Sequence, residues 1–267
     1  MYNVGFGDCF CLRDRKKSLL VDFGTNNSRI EGRPRREIFD VIISDLSTIK
    51  SKNLLLTHFH MDHLSGLLYM MKKKDISVDF GKIYLPDVFS KKEMSRTLVL
   101  LLLADLLKES GLPSRQVSLF ALVDALLENK QNVELLSRGK LFENKYQALW
   151  PDTDVIRKET DKVYNRICED GKFKEVMDVL LEFAEKLRLI VWSMTAEGNK
   201  PAETVEKETD LTASELTEQP EVRQKIIRAY VYEREFRRIK ALPDFKKLLA
   251  WLNENQINLR QFKHKIS

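Results

Sequence analysis

The chain has 267 residues, 43% hydrophobic and 32% charged, enough apolar sequence for one full domain or one domain carrying a large insertion, and this excludes a disordered chain. Its 45 basic and 40 acidic residues give a formal net charge of only +5, so charge balance alone does not mark a nucleic-acid protein. The three cysteines, Cys9, Cys11 and Cys168, form no even disulfide framework and point to a reducing, cytoplasmic compartment. Membrane insertion is not expected: the apolar run 98–107 is about half a span long and is interrupted by Asp105, and it reads as a buried helix. The N-terminus lacks the basic and apolar regions of a signal peptide.

Residues 1–25 read as strand, turn, strand: Val4-Gly5-Phe6-Gly7-Asp8, an apolar stretch through Leu12, a charged turn, and Ser18 to Gly24. Cys9 and Cys11 lie two apart on the first strand, and small buried strand residues are a better reading of them than metal ligands. A polar, basic loop covers 26–36, followed by a helix over 37–50 with Ile38, Val41, Ile42, Leu46 and Ile49 on one face. Leu54 to Leu56 is a buried strand too short for a helix.

Directly behind that strand, the stretch Thr57-His58-Phe59-His60-Met61-Asp62-His63 holds three of the chain's four histidines. Residues two apart on a strand end point the same way, so His58 and His60 can converge on one point. Asp62 and His63 then open a helix carried by Leu64, Leu67, Leu68, Met70 and Met71, and can face the same cavity from the other side. Imidazole nitrogen with carboxylate oxygen is a donor set for zinc, with copper, iron or nickel also compatible. Surface histidines on a loop are the bland alternative, but chance places so many together well below about once in a hundred.

The string His58-x-His60-x-Asp62-His63 after an apolar strand resembles the signature of the metallo-β-lactamase fold superfamily. The resemblance implies an α/β fold, a four-layer αββα sandwich with one or two Zn2+ ions at the edge between its sheets. It further implies that His58 and His60 bind a first metal and Asp62 and His63 a second. Where the family often carries Gly-Gly after the motif, this chain has Ser65-Gly66. The opening Gly5-x-Gly7-Asp8 and the hairpin ending Asp22-x-Gly24 are similar to the metallo-β-lactamase-like domain of competence-type DNA-uptake proteins. By that likeness Asp22 hydrogen-bonds the metal loop and orients its histidines, as carboxylates around metal ligands usually do, and Asp8 approaches the site.

Further along, strands are expected over 78–86, 132–139 and 141–150, and helices over 91–110 and 114–128 with a break at 111–113. From residue 153 the sequence turns to charged, helix-period segments, with Val176, Val179, Leu180, Phe183, Leu187 and Val191 on one helical face. The expected organisation is thus 1–152 as the N-terminal half of the sandwich and 153–255 as a helical insertion. Within the insertion, 198–221 is poor in large apolar residues and reads as a mobile segment, and a further helix is expected over 224–240. The stretch 256–267 alternates like a returning strand.

The family completes its site with further histidines and a bridging aspartate in a Gly-Asp pair, and downstream of the motif only His264 remains and no such pair. The expectation is therefore an N-terminal fragment whose sandwich is incomplete at the C-terminus; failing that, His264, Asp152, Asp154 or Cys168 would have to substitute. The expected function is a metal-dependent hydrolase using a zinc-bound hydroxide held and oriented by Asp62. Its substrate is left open between small esters and nucleic acid, with a lean to phosphodiesters. Basic runs at 33–36, 72–74 and 237–240 read first as solvated faces and only second as phosphate-binding patches. The alternative is a degenerate, non-catalytic module of the same fold whose helical insertion binds a partner.

Overall fold

Short apolar strands separated by amphipathic helices make a parallel sheet, because parallel neighbours need long crossovers that helices supply. The computed structural model describes residues 1–14, 17–73, 79–108, 118–129, 131–169, 171–196 and 238–255, together with 257, 259 and 262. They are of mixed α/β class. The chain divides into two compact units, one of residues 1–86 and 118–136, the other of 87–117 and 137–267.

The first unit is built on a five-stranded sheet in the order β1-β2-β5-β6-β7. Strand β1 (Phe10–Arg13) forms an antiparallel hairpin with β2 (Ser18–Val21), and Phe10 faces Val21 in its register. Between β2 and β5 (Lys52–Leu55) lie a two-stranded ribbon, β3 (Arg29–Ile30) with β4 (Arg33–Pro34), and helix α1 (Arg35–Ser47). Helix α2 (Met61–Met71) follows β5, and β6 (Ile83–Pro86) and β7 (Val133–Leu136) extend the sheet in parallel. All four residues of β6 are buried, as a strand covered on both faces must be.

Helix α1 buries Phe39, Ile42, Ile43 and Leu46, a spacing that puts one stripe on the core. This shifts the face expected from sequence: Val41 is 56% exposed, because Phe39 takes the central position. Its ring meets Phe23 edge-on at 5.2 Å and lies 5.6 Å from Tyr69 of α2. The Tyr69 hydroxyl donates to Asp40 at 3.0 Å, a second tie between α1 and α2. Cys9 is buried and unpaired by any disulfide, and burial pushes its thiol well above the ordinary range.

Within the second unit, helix α3 (Ser95–Lys108) packs with α5 (Thr153–Cys168) and α6 (Lys174–Ser193), and α7 (Pro243–Glu254) comes later in the chain. Helix α4 (Ser118–Glu128) belongs to the first unit, which the chain leaves at residue 86 and rejoins through 118–136. The expected face of α6 is buried at Val176, Leu180, Phe183, Leu187 and Val191, with Val179 at its margin. The single strand expected over 141–150 is instead a small ribbon, β8 (Leu141–Phe142) with β9 (Tyr146–Gln147). Glu143 and Asn144 take left-handed backbone (φ 52° and 56°) and turn the chain between them.

The returning strand expected over 256–267 is not what its described residues show: Leu259 and Phe262 are helical, and their spacing of three suits a helix face as well as an alternating strand. The expected segments 111–113, 198–221 and most of 224–240 lie outside the described residues. Among the described residues one five-stranded sheet occurs with two two-stranded ribbons, so the second large sheet of a four-layer sandwich is not among them. No helix among them is long and apolar enough to cross a membrane.

The second unit is pinned by a buried ion pair. Arg188, 1% exposed, grips Glu185 through Nη2 at 2.6 Å and Nε at 3.1 Å, and Nη1 donates to the carbonyls of Phe89 and Ser90. Burial opposes ionisation of Glu185, but Arg188 and the Ser95 hydroxyl outweigh it and hold the carboxyl below its ordinary value. A depressed carboxyl contributes stability that is present above the unfolded value, about 4.3, and lost as pH falls through the folded one. Thermal melts should therefore show wild type more stable than Glu185→Gln at pH 7, with the gap closing as pH falls below about 4.3. A gap independent of pH would remove this account.

Candidate metal centre

The site is assembled around Asp22, at the end of β2. Its backbone is left-handed (φ 55°), uncommon for a residue with a side chain, and its amide donates to the Leu55 carbonyl at 2.8 Å. The side chain, in a residue 2% exposed, accepts the Thr57 amide at Oδ1 (2.8 Å) and the Thr57 hydroxyl at Oδ2 (2.7 Å). Oδ2 also accepts from Nδ1 of His63 at 2.9 Å. One carboxylate thus ties the loop after β5 to the first turn of α2.

His60 is the N-cap of α2, and its carbonyl accepts the amides of His63 and Leu64. Asp62 and His63 therefore sit in the helix's first turn, where an aspartate is favoured by the helix dipole. With Nδ1 of His63 committed to Asp22, Nε2 is the nitrogen that points on, and it lies 3.7 Å from Oδ2 of Asp62. His58 completes the group: its ring centroid is 3.6 Å from that of His63, and its Nδ1 is 3.0 Å from the Thr57 hydroxyl. Donor atoms of His58, Asp62 and His63 all lie within 4.8 Å of one another.

Asp8, Asp22 and His63 form a second such group. Its chemistry differs, because Asp22 already accepts three hydrogen bonds and Asp8 lies on the Nδ1 side of His63, 3.6 Å away. Asp22 is therefore placed to orient His63, whereas the first group has the composition of a metal-donor set. Burial acts against the positive charge on His63, but the carboxylates of Asp22, Asp62 and Asp8 outweigh it and raise its pKa.

His60, 6% exposed, stands beside His58 with ring centroids 4.7 Å apart, as the strand-end spacing leads one to expect, and caps α2 through its backbone carbonyl, not its side chain. The close group of donors that includes His58 is the one with Asp62 and His63. Of the proposed substitutes, Asp152 caps α5 by accepting the Val155 amide and pairs with Arg138 at 3.0 Å, and Asp154 pairs with Arg157. Burial raises the Cys168 thiol, and His264 lies outside the described residues.

Thr57 and Ser65 are positioning residues that the sequence reading passed over. Thr57 immediately precedes the motif, and that adjacency was the available signal. The Ser65 hydroxyl accepts the Thr25 amide at 2.9 Å and donates to the Thr25 carbonyl at 3.0 Å, which gives the Ser-Gly variant its own structural role. Close backbone approach does the rest. A Cβ on Gly7 would lie 2.2 Å from the Gly24 carbonyl, and one on Gly24 would lie 2.6 Å from the Leu64 amide nitrogen.

A family model of the metallo-beta-lactamase superfamily matches residues 2–87. These residues, about a third of the chain, are similar to that superfamily. The matched segment spans Asp8, Asp22 and the histidine motif, and ends as β6 does. Among curated proteins, "Endoribonuclease YSH1" of Mycosarcoma maydis is 32% identical over 77 residues, covering 29% of this chain. The match spans only 8% of that relative's length. No solved structure matches the chain.

Replacing Asp22 by Asn keeps the size and tolerates the backbone, but removes the negative charge that holds the Nδ1 proton of His63. Zinc affinity should fall about 10- to 100-fold, measured by competition with a chromogenic chelator. An unchanged affinity would show that Asp22 serves the fold alone. Gly66→Ala would put a Cβ 2.6 Å from the Phe23 ring and should lower stability by about 1–3 kcal/mol in denaturant unfolding.

Proposed function

We propose that the chain carries the metal centre of a hydrolase acting on phosphodiesters, with His58, Asp62 and His63 as its metal-holding residues. The observation that carries this is the commitment of His63 Nδ1 to Asp22 while Nε2 faces Asp62 with His58 alongside. A buried carboxylate behind an imidazole fixes its tautomer and is the usual support of a metal-ligating histidine. Two imidazole nitrogens and a carboxylate oxygen fit zinc, and a three-residue set leaves room for water. When bound, such an ion supplies a Lewis acid and brings the pKa of water towards neutrality.

The chain's own residues supply orientation. Asp62, partly exposed at the start of α2, accepts a hydrogen bond from the attacking water and aims it. His58 and His63, which would have to be deprotonated to hold an ion, set the geometry, Thr57 holds His58 from behind, and the backbone of His60 caps the helix from which Asp62 projects. Asp8, half-exposed, stands at the edge of the site. The lean to phosphodiesters draws on the endoribonuclease likeness and on the opening hairpin's resemblance to DNA-uptake proteins.

The second reading is a non-catalytic interaction module. It is favoured by the origin of all donors in the two groups from the 8–63 segment alone. Elemental analysis of the purified chain, joined to hydrolysis of bis(p-nitrophenyl) phosphate, separates the two. Asp62→Ala and His63→Ala should each lose bound zinc and lower turnover by at least about 100-fold. Stoichiometric zinc without hydrolysis would favour the interaction module, and hydrolysis surviving both substitutions would remove the site assignment.

A further inference from the structure

Phe6 is 81% exposed, an unusual position for a phenyl ring on a backbone held as firmly as this one. Its carbonyl accepts the Thr25 hydroxyl at 3.1 Å and the Asn26 amide at 2.9 Å. On one side Gly5 takes φ 71°, and on the other Gly7 packs so closely that a Cβ there would lie 2.7 Å from the Asp62 carbonyl. The amide of Asp8 donates to that same carbonyl. Phe6 is therefore presented to solvent one residue away from backbone that touches a metal-site residue.

The neighbouring surface is basic. The Asn26 amide that holds Phe6 leads into the β3–β4 ribbon, and residues 29–37 hold four arginines against two glutamates. Arg29, Arg33, Arg35 and Arg36 are all exposed. Arg33 makes only a long approach of 3.4 Å to Glu37, each side chain more than half exposed. Arg35 and Arg36 occupy the first turn of α1, where cations oppose the helix dipole, so helix stability does not account for them. An exposed flat ring beside an arginine-rich ribbon combines the two features with which proteins hold single-stranded nucleic acid, base stacking and phosphate attraction.

We infer that Phe6 is a stacking platform for a base of a single-stranded nucleic acid whose backbone phosphates are taken by Arg29, Arg33, Arg35 and Arg36. This deepens the phosphodiesterase reading and rests on it: the strand would be held with a phosphodiester next to the stacked base near His58, Asp62 and His63. Phe6 sets which substrates are held and does no chemistry.

The test is fluorescence anisotropy with the full chain as purified, using a short dye-labelled phosphorothioate oligothymidylate and an abasic strand of equal length. Phe6→Ala should weaken oligothymidylate binding about 5-fold or more and leave abasic binding unchanged, as loss of one stacked base requires. Phe6→Trp should retain binding, whereas Phe6→Leu, apolar but without a ring face, should behave like Phe6→Ala. Arg29→Ala with Arg33→Ala should weaken both strands and make the log–log salt slope shallower by about 0.7 for each phosphate no longer neutralised. Wild-type binding absent, unchanged in Phe6→Ala, or reduced equally for both strands would overturn the inference. Hydrolysis of bis(p-nitrophenyl) phosphate by wild type, with binding indifferent to Phe6, overturns this inference alone. Phe6-dependent binding with no hydrolysis at any zinc level supports the platform and overturns the catalytic reading.

Discussion

The first unit depends on a single carboxylate. Asp22 ends one strand, joins its backbone to the next strand through Leu55, and spends its side chain on Thr57 and His63. Three hydrogen bonds to a side chain in a residue 2% exposed keep the burial of a negative charge tolerable, and the same bonds fix the loop that carries His58. A buried aspartate held this way sets the position of a strand end, a loop and a helix start together. The left-handed backbone at Asp22 is the local cost of turning the side chain back towards β5.

Around that anchor the chain is drawn unusually close. Gly7, Gly24 and Gly66 each stand where a methyl group would overlap neighbouring backbone or the Phe23 ring. The Phe23 amide donates to His63, and the Phe23 carbonyl accepts from Gly66 and Leu67, so the chain leaving β2 meets the first two turns of α2. Ser65 adds a reciprocal pair of bonds to Thr25. The result is a helix start fixed from two directions, which is what a metal site needs if its donors are to hold their geometry before an ion arrives.

Much of this was legible because the signals were local. Three histidines and an aspartate within 58–63 behind an apolar run placed the site at a strand end and a helix start, and the hairpin ending at Asp22 could be tied to it by resemblance. Strand periodicity brings His58 and His60 together, and their rings stand 4.7 Å apart, although the chain leaves strand geometry after Leu55 and the close group around His58 takes in Asp62 and His63 from the helix start. On α1, Ile42 and Leu46 are buried as expected, but Val41 is exposed and Phe39 was left out because aliphatic spacing was followed, although Phe23 and Tyr69 make it the centre of the packing. The two compact units follow a topology that no local pattern encodes: β7 returns to the sheet of the first unit and pairs with β6.

The two units also differ in what their charges are for. In the second, Arg188 closes on Glu185, Arg96 on Asp161 at 2.7 Å while covering the Tyr164 ring, and Arg138 on Asp152. A 620 Å³ cleft between α3, α5 and α6 is lined by Arg96, Asp161 and Glu185 among others, so several of its charged groups are already engaged with one another. Such pairs hold helices together and leave few donors aimed at a ligand. In the first unit the balance is reversed. Asp22 saturates itself to hold the motif, and in doing so directs His63 Nε2 towards Asp62 and His58. Completing the hydrogen bonds of Asp22 is thus what orients the His63 ring beside His58 and Asp62.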